Sequence, residues 1–292
     1  MRYKFLKELL AITLAVGGIG AAFGSGVAAV VAKNMLEAPS SLHMVALAEQ
    51  ALRARAAVLY DPQTGHVLYQ KNANEPLALA SLTKLMTAQA VLAAEPADTP
   101  VYITQDNLRS EGDSGLRPGE TLRINDLIKL GLVSSSNDAI AAAAASLGDG
   151  YLTHMNDTAQ RLGLTKTFFL NPTGLDLNAS IAGAYGSAYD VARLAAAFYH
   201  AYPNYFEATS QEGALLGDPG RDLAAAATAL PLFDIPGFIG GKTGYTDLAG
   251  GNLVAAFDLE VGRPVFAVVL GSTREGRFED VRMLIAAARA QL

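Results

Sequence analysis

The sequence predicts an α+β fold, in which one antiparallel sheet is assembled from both ends of the folded region and a mostly helical stretch is inserted between them. The first observation is a strand pattern at 57–60 and 66–69, separated by the turn-forming segment 61–65. The second is a pair of apolar runs at 252–258 and 264–271, joined at 261–263. The third is helical periodicity across the centre of the chain. We therefore expect strands at both ends to complete a single sheet.

The helices follow from apolar spacing and from the residues that end them. One helix is expected to begin near Ser81 and to run to Ala94, where Pro96 stops it. Glycine ends the next helices, because it adopts the left-handed conformation found just beyond many helices. The remaining helices are expected at 124–133, 139–145, 151–162, 187–199 and 277–290.

Composition excludes several classes of function. The chain is 51% hydrophobic and 17% charged, which is typical of a packed globular protein. Its net charge of -6 gives no electrostatic basis for nucleic-acid binding. Cysteine is absent, which excludes disulfides, thiol catalysis and Cys-ligated zinc, and the four histidines are scattered without ligand spacing. We therefore expect neither a metal nor a cofactor.

The N-terminus predicts a membrane segment. Basic residues occur up to Lys7, and the segment 9–32 contains no charged residue. This segment is longer than the ~20 helical residues that cross a bilayer. This length favours a retained anchor over a cleaved signal peptide for residues 1–32, and both remain open. The basic flank places the start of the chain in the cytoplasm. The remainder is then expected outside the cytoplasm, with 33–54 as a linker and 55–292 as the folded domain.

Ser81 and Lys84 lie three residues apart at the start of a predicted helix, so they share one face. A serine hydroxyl becomes an effective nucleophile when a neighbouring base removes its proton. A lysine amine can do so only if burial or a nearby cation lowers its pKa. This spacing alone is common, and a capping serine followed by a surface lysine would explain it equally well.

Two further polar segments strengthen the prediction of a site. The segment 135–137 (Ser-Ser-Asn) falls between two predicted helices, where short polar side chains can enter a cleft. The segment 242–244 (Lys-Thr-Gly) falls on an expected strand beside Gly240 and Gly241, where the backbone is open to a ligand. Each segment taken singly also fits an ordinary loop or surface strand.

Together and in this order, the three segments resemble the active-site signature of the penicillin-recognising serine enzymes. The neighbouring segments 80–88, 116–120, 171–175 and 241–246 are similar to those of the low-molecular-mass D-alanyl-D-alanine carboxypeptidases, and the resemblance runs from about Arg55 to the C-terminus. It implies a β-lactamase/transpeptidase-like fold. It also implies that 55–292 is a serine carboxypeptidase catalytic domain, which lacks the extra C-terminal domain and anchor that members often carry.

The resemblance implies a role for each matching residue. Ser81 would attack the penultimate D-alanine carbonyl to form an acyl-enzyme, Lys84 would accept its proton, and Ser135 would relay a proton to the departing amine. Substrate binding would fall to Asn137, to Lys242 and Thr243 at the terminal carboxylate, and to the adjoining Gly244 and Tyr245. The backbone N–H groups of Ser81 and Tyr245 would form the oxyanion hole, and Arg263 is a weaker candidate for the carboxylate.

The expected partners are peptidoglycan stem peptides ending in D-Ala-D-Ala, β-lactams as covalent inhibitors, and the membrane through the N-terminal segment. The expected location is the extracytoplasmic face of the bacterial membrane, or the secreted or periplasmic space if the segment is cleaved. Carboxypeptidase, endopeptidase and transpeptidase activities share one acyl-enzyme, and the sequence does not separate them.

Three alternatives are weighed against this interpretation. A class A β-lactamase needs a Glu-x-x-x-Asn segment, and neither Glu207 nor Glu212 has asparagine four residues later. A phosphate-binding loop needs glycine at 236, where Pro236 stands. A catalytically silent peptidoglycan-binding membrane protein would keep the groove without turnover, and the three complete segments argue against it.

Overall fold

The computed structural model describes residues 52–108, 115–216 and 223–290, and its centre is a five-stranded antiparallel sheet. Its strands are β1 (Ala56–Asp61), β2 (His66–Lys71), β10 (Phe238–Thr246), β11 (Gly250–Glu260) and β12 (Arg263–Ser272). They come from both ends of the described chain and lie in the order β10-β11-β12-β1-β2. The predicted joining of the two ends is confirmed.

Both faces of the sheet are covered, because alternate residues of its inner strands are buried on opposite sides. Ala256, Phe266 and Val268 join the main hydrophobic core together with Phe198. Phe198 lies on helix α5 (Ala188–Ala201), which packs on β1 and β12. The intervening residues face helix α7 (Gly276–Arg289), which packs on β11 and β12. This double coverage explains why these strands are apolar at nearly every position.

The remaining helices form the inserted layer, and their bounds agree with the predicted periods to within two residues at almost every end. A short 3-10 helix, Ala80–Leu82, precedes α1, and Ser187 caps α5 by accepting the N–H of Asp190 at 3.1 Å. The helix α6 was not predicted separately, and Pro203 begins it. The helices are α1 (Thr83–Ala94), α2 (Ile124–Val133), α3 (Asn137–Ala145), α4 (Tyr151–Arg161) and α6 (Pro203–Glu207).

Several short strands were not predicted, because they are too short to show alternation. They form a three-stranded sheet in the order β3-β7-β6 and the two-stranded pairs β4-β5 and β8-β9. The strands are β3 (Leu77–Ala78), β4 (Pro100–Tyr102), β5 (Thr121–Arg123), β6 (Phe168–Phe169), β7 (Ala184–Gly186), β8 (Gly213–Leu216) and β9 (Leu223–Ala226). The β3-β7-β6 sheet leads the chain into the helix that starts near Ser81.

A buried carboxylate fastens α7 to the sheet. Asp280 accepts the backbone N–H groups of Arg53 and Ala54, each at 2.9 Å, and the hydroxyl of Ser272 at 2.6 Å. A fully buried carboxylate is stable only when such donors replace water. This cluster fixes where the chain enters β1 and where α7 begins.

Within the three described ranges, no helix combines the length and the apolar composition that a bilayer crossing requires. The predicted membrane segment 1–32 and most of the predicted linker 33–54 lie outside the described residues.

Candidate active site

Ser81 lies in the 3-10 helix that leads directly into α1, and its backbone is held by close packing. The preceding Ala80 is fully buried and has φ +48, a left-handed conformation that costs a residue with a Cβ about 1–2 kcal/mol. Gly174 packs against it so closely that a Cβ there would lie 1.8 Å from the Ala80 carbonyl oxygen. Asn252 on β11 adds a tie, since its Nδ2 donates to the Ala78 carbonyl at 2.8 Å. The serine is therefore fixed from two sides.

Lys84 is fully buried, and its Nζ has three oxygen neighbours. They are Ser81 Oγ at 2.7 Å, Asn137 Oδ1 at 2.7 Å and the Thr173 carbonyl oxygen at 3.1 Å. Burial lowers the pKa of Lys84 from 10.5 to about 7. A neutral amine has two N–H donors and one lone pair. Because the Asn137 and Thr173 oxygens can only accept, the lone pair is left to accept the hydroxyl proton of Ser81.

The Thr173 carbonyl is held in place by the side chain of Asn171. Asn171 Oδ1 accepts the N–H of Thr173 at 3.2 Å and that of Gly174 at 2.7 Å, while its Nδ2 donates to the Leu175 carbonyl at 2.8 Å. This is the side-chain-to-backbone turn that asparagine forms readily. The segment 171–175 resembled a family segment in the sequence, but its contact with Lys84 was not predicted.

Ser135 and Asn137 lie where α2 ends and α3 begins. Ser136 caps α3 by accepting the N–H of Ala139 at 3.1 Å, so Asn137 becomes the first helical residue. Ser135 has φ +63, a backbone conformation that residues other than glycine rarely adopt and that persists only when surrounding contacts hold it. The cap and this turn direct both predicted side chains into one cleft.

Lys242 on β10 forms the opposite wall of that cleft, and its side chain is fully buried. Its Nζ donates to Ser135 Oγ at 2.8 Å and to the Thr243 carbonyl at 2.9 Å. Burial, followed by the neighbouring charges of Lys84 and Arg277, holds the pKa of Lys242 well below its usual value. Because Ser135 Oγ accepts from Lys242, the proton of Ser135 is available to another acceptor in the cleft.

The free edge of β10 faces the nucleophile. Among the described strands, β10 has a neighbour on one side only, which is β11. The N–H of Gly241 points away from β11 and donates to Thr209 Oγ1 at 2.8 Å. Since N–H directions alternate along a strand, the N–H of Tyr245 points to the same outer edge. Gly244 packs against Ser81 so closely that a Cβ added to Gly244 would lie 3.1 Å from the Ser81 nitrogen. The two predicted oxyanion donors are therefore adjacent.

Two arginines of the β12–α7 region adjoin β10. Arg277 is buried and donates through Nη1 to the Gly244 carbonyl at 2.7 Å. Burial, followed by the charge of Arg274, lowers its pKa to about 10, and Glu275 partly offsets this. The Arg274 guanidinium lies 3.9 Å from the centre of the Tyr245 ring. Arg277 was not predicted, because an arginine early in a helix carries no signal of what it contacts.

Arg263, the weaker candidate for the carboxylate, lies elsewhere. Arg263 on β12 pairs with Glu260 of β11, whereas Lys242 on β10 pairs with Val254 of the same strand β11. The two positions on β11, and with them Arg263 and Lys242, are separated by roughly 20 Å along the sheet. The guanidinium of Arg263 contacts the buried Asp61 at 2.9 Å. Burial alone would raise the pKa of Asp61, but hydrogen bonds from Arg263 and from the turn that follows hold it below its usual value. The expectation for Arg263 was wrong, because sequence distance does not show at which end of a strand a residue lies.

The structure thus brings the predicted residues of all three segments into one cleft. Hydrogen bonds link Lys84 to Ser81 and to Asn137, and a further hydrogen bond links Lys242 to Ser135. Thr243, Gly244 and Tyr245 continue along the strand that carries Lys242. Across the described part of the chain, no cluster of three or more acidic or histidine side chains could hold a metal ion. The chemistry available in this cleft is that of an activated serine.

Comparison with known proteins agrees with this arrangement. The family profile described as D-alanyl-D-alanine carboxypeptidase matches residues 43–274. Over 263 residues the chain is 32% identical to D-alanyl-D-alanine carboxypeptidase DacF of Bacillus subtilis, a match that covers 83% of this chain and 64% of that relative. The chain therefore spans slightly less than two thirds of that relative's length.

Solved structures show the same likeness. The D-alanyl-D-alanine carboxypeptidase of Mycobacterium tuberculosis H37Rv matches with a TM-score of 0.75 at 26% identity, over 82% of this chain and 92% of that chain. Penicillin-binding protein D2 of Listeria monocytogenes, in its ampicillin-bound form, matches with a TM-score of 0.71 at 30% identity, over 81% of this chain and 98% of that chain. These matches confirm the predicted fold class. The chain belongs to the D-alanyl-D-alanine carboxypeptidase family of serine peptidases.

Proposed function

We propose that this protein removes the terminal D-alanine from peptidoglycan stem peptides that end in D-Ala-D-Ala, through an acyl-enzyme on Ser81. The observation that carries the proposal is the Lys84 amine, which lies 2.7 Å from Ser81 Oγ and whose pKa is lowered to about 7. A base is most effective when its pKa lies near the working pH. The family match over most of the chain supports the same activity.

In the first step, Lys84 accepts the Ser81 proton while Oγ bonds to the carbonyl carbon of the penultimate D-alanine. The negative charge that develops on the carbonyl oxygen is stabilised by the N–H groups of Ser81 and Tyr245. One such donor is typically worth about 3–4 kcal/mol in the barrier. When the C–N bond breaks, Ser135 passes its proton to the departing amine of D-alanine and is reprotonated by the proton that Lys84 took from Ser81, which leaves Lys84 neutral again. Water then attacks the Ser81 ester and releases the shortened peptide.

The terminal carboxylate of the substrate would bind beside Lys242, Thr243 and Arg277. Burial and neighbouring charges lower the pKa values of Lys242 and Arg277, so an anion bound beside them would stabilise their charged forms. Arg274, above the Tyr245 ring, adds positive charge at the rim. Asn137 would hold the substrate amide. This charge distribution favours a substrate with a free carboxylate at its end.

β-Lactams are the expected covalent inhibitors, because they present a carbonyl and a carboxylate at a similar separation. The Listeria penicillin-binding protein D2, which has this fold, is described in ampicillin-bound and cefotaxime-bound forms. We further propose that residues 1–32 tether the protein to the outer face of the cytoplasmic membrane, on the basis of the length of the uncharged segment 9–32 alone.

The direct test supplies a pentapeptide ending in D-Ala-D-Ala and measures free D-alanine. Release is expected from the wild type, and it should disappear in Ser81→Ala and in Lys84→Ala. Covalent labelling by benzylpenicillin should likewise occur in the wild type and be lost in Ser81→Ala. Labelling without D-alanine release would instead favour a silent peptidoglycan-binding protein, and rapid hydrolysis of the lactam would favour a β-lactamase.

A further inference from the structure

A half-buried carboxylate, Asp176, joins two segments that each end at the reacting groups. Asp176 lies in the β6–β7 loop, residues 170–183, and it contacts the end of β10 and the turn 247–249 that follows. Its Oδ1 accepts the hydroxyl of Thr246 at 3.0 Å, and its Oδ2 accepts the N–H of Leu248 at 3.3 Å. Thr246 Oγ1 in turn accepts the N–H of Ala249 at 3.2 Å. We call this set of hydrogen bonds the Asp176 clasp.

On one side of the clasp, hydrogen bonds and close packing hold the chain as far as its contact with Lys84. The Thr173 carbonyl that accepts from Lys84 lies three residues before Asp176. Between them, the Asn171 side chain fixes the turn, and Gly174 packs directly on the Ala80 backbone. A shift of Asp176 would therefore be transmitted to an acceptor that orients the lysine amine.

On the other side, the clasp adjoins the predicted oxyanion donor. Tyr245 is the residue immediately before Thr246 on β10, and its N–H points to the edge that has no neighbouring strand. The β11 ladder holds β10 from one side only. The Asp176 clasp supplies a further restraint, at the position where the strand ends and the turn begins.

We propose that Asp176 is a positioning residue, which fixes the Tyr245 N–H relative to the Ser81–Lys84 pair through the Thr246 hydroxyl and the 247–249 turn. The inference rests on the proposed acyl-enzyme chemistry and adds a residue to it. Asp176 touches neither the nucleophile nor the base, and it acts through the segments that carry them. Catalysis is sensitive to such placement, since an error of about 1 Å can cost on the order of 100-fold in rate.

The test uses the full chain and benzylpenicillin as the probe. Stopped-flow labelling separates the dissociation constant of the initial complex from the acylation rate constant. In Asp176→Ala we expect the acylation rate constant to fall by about 10- to 100-fold, while the dissociation constant changes by less than about threefold. A residue needed only for folding would lower the melting temperature and the labelled fraction, but it would leave the rate constant of the folded molecules unchanged.

Asn178 provides the matched control, because it lies in the same loop and its side chain bonds only locally. Its Oδ1 accepts the N–H groups of Ser180 at 2.9 Å and Ile181 at 3.0 Å. Asn178→Ala is expected to acylate at the wild-type rate. If Asp176→Ala and Asn178→Ala behave alike, the proposal is overturned.

Two further variants keep the test decisive if Asp176→Ala folds poorly. Thr246→Val removes one hydroxyl with little change in shape, and it should lower the acylation rate constant in the same way. Asp176→Asn keeps the oxygen that accepts from Thr246, so it should recover part of the rate. In a double-mutant cycle, Asp176→Ala and Thr246→Val should be less than additive. Full additivity would contradict the clasp.

A wild type that benzylpenicillin does not label would remove the proposed function and this inference together, whereas a labelled wild type with unaffected variants would remove only the inference.

Discussion

Replacement of Asn137 by aspartate tests whether the neutral amine of Lys84 is the base. Asn137 Oδ1 lies 2.7 Å from Lys84 Nζ, and Asn137→Asp changes the shape of the side chain very little. The new carboxylate would sit beside a fully buried amine whose pKa is about 7. A negative charge at this distance favours the ammonium form, so the pKa of Lys84 should rise.

The expected size of the effect follows from the contact. An opposite charge within about 4–6 Å shifts a pKa by roughly 1–3 units, which would move Lys84 to between about 8 and 10. At pH 7 about half of the wild-type molecules carry the neutral amine. In the variant the neutral fraction would fall to between about one in ten and one in a thousand. The acylation rate at pH 7 should therefore drop by about 5- to 500-fold.

The assay is the acylation rate constant with benzylpenicillin, measured from about pH 5.5 to 10.5. In the wild type the rate should rise with pH through a midpoint near 7, because deprotonation of Lys84 creates the base. In Asn137→Asp the midpoint should move to higher pH, and the deficit should shrink as the pH approaches 10. Asn137→Ala is the control, since it removes the amide without adding charge and should lower the rate equally at every pH. A profile for Asn137→Asp that is scaled down but not shifted would refute a neutral Lys84 as the base.

Three further predictions concern stability and the placement of residues. Lys84→Met should remove a pH dependence of stability. The unfolded chain keeps the lysine proton up to about pH 10.5 and the folded chain releases it above about pH 7, so the wild-type free energy of unfolding should rise by about 5 kcal/mol relative to the variant across that window. An identical pH dependence of the two free energies, measured by denaturant titration, would contradict the lowered pKa. Gly174→Ala should destabilise the fold by at least about 3 kcal/mol in an unfolding assay and abolish acylation. Gly65→Ala is its control, because Gly65 also has a positive φ but no atom lies within 4 Å of the new Cβ, and it should cost only about 1–2 kcal/mol in the same assay. Arg263→Ala should destabilise the fold, because the buried Asp61 loses its guanidinium partner, and its acylation rate should equal that of the wild type. A selective loss of acylation would place Arg263 at the site after all.

Much of the fold could be predicted because its signals are local. The β1–β2 hairpin is marked by turn residues between two apolar runs, and the helices are marked by periodicity and by the glycine or proline that ends them. The short strands, such as Phe168–Phe169, could not be predicted. A strand of two residues is too short to show an alternation of apolar and polar residues, and only its pairing with a neighbouring strand defines it.

The candidate site was predicted in a different way. The spacing of Ser81 and Lys84 is common among unrelated chains, and the prediction depended on two more segments in a fixed order and on their resemblance to one family. Residues outside those segments stayed unassigned. Arg277 and Asp176 are examples, because their contacts with β10 and its following turn are not visible in the sequence around them.

By itself, the sequence determined the long strands and helices, the family, and the residues that are candidates for the nucleophile, its base and the binding strand. Only the tertiary structure lowers the pKa of the Lys84 amine to about 7, the range that the proposed base requires. The exclusion of water lowers this pKa, and acceptors that come from 53 and 89 residues away in the chain orient the amine. Both conditions exist only after the sheet and the helical layer have packed together. The same packing assigned Arg277 to the cleft and Arg263 to Asp61, because charges act over a few ångströms of space and not over positions in a chain.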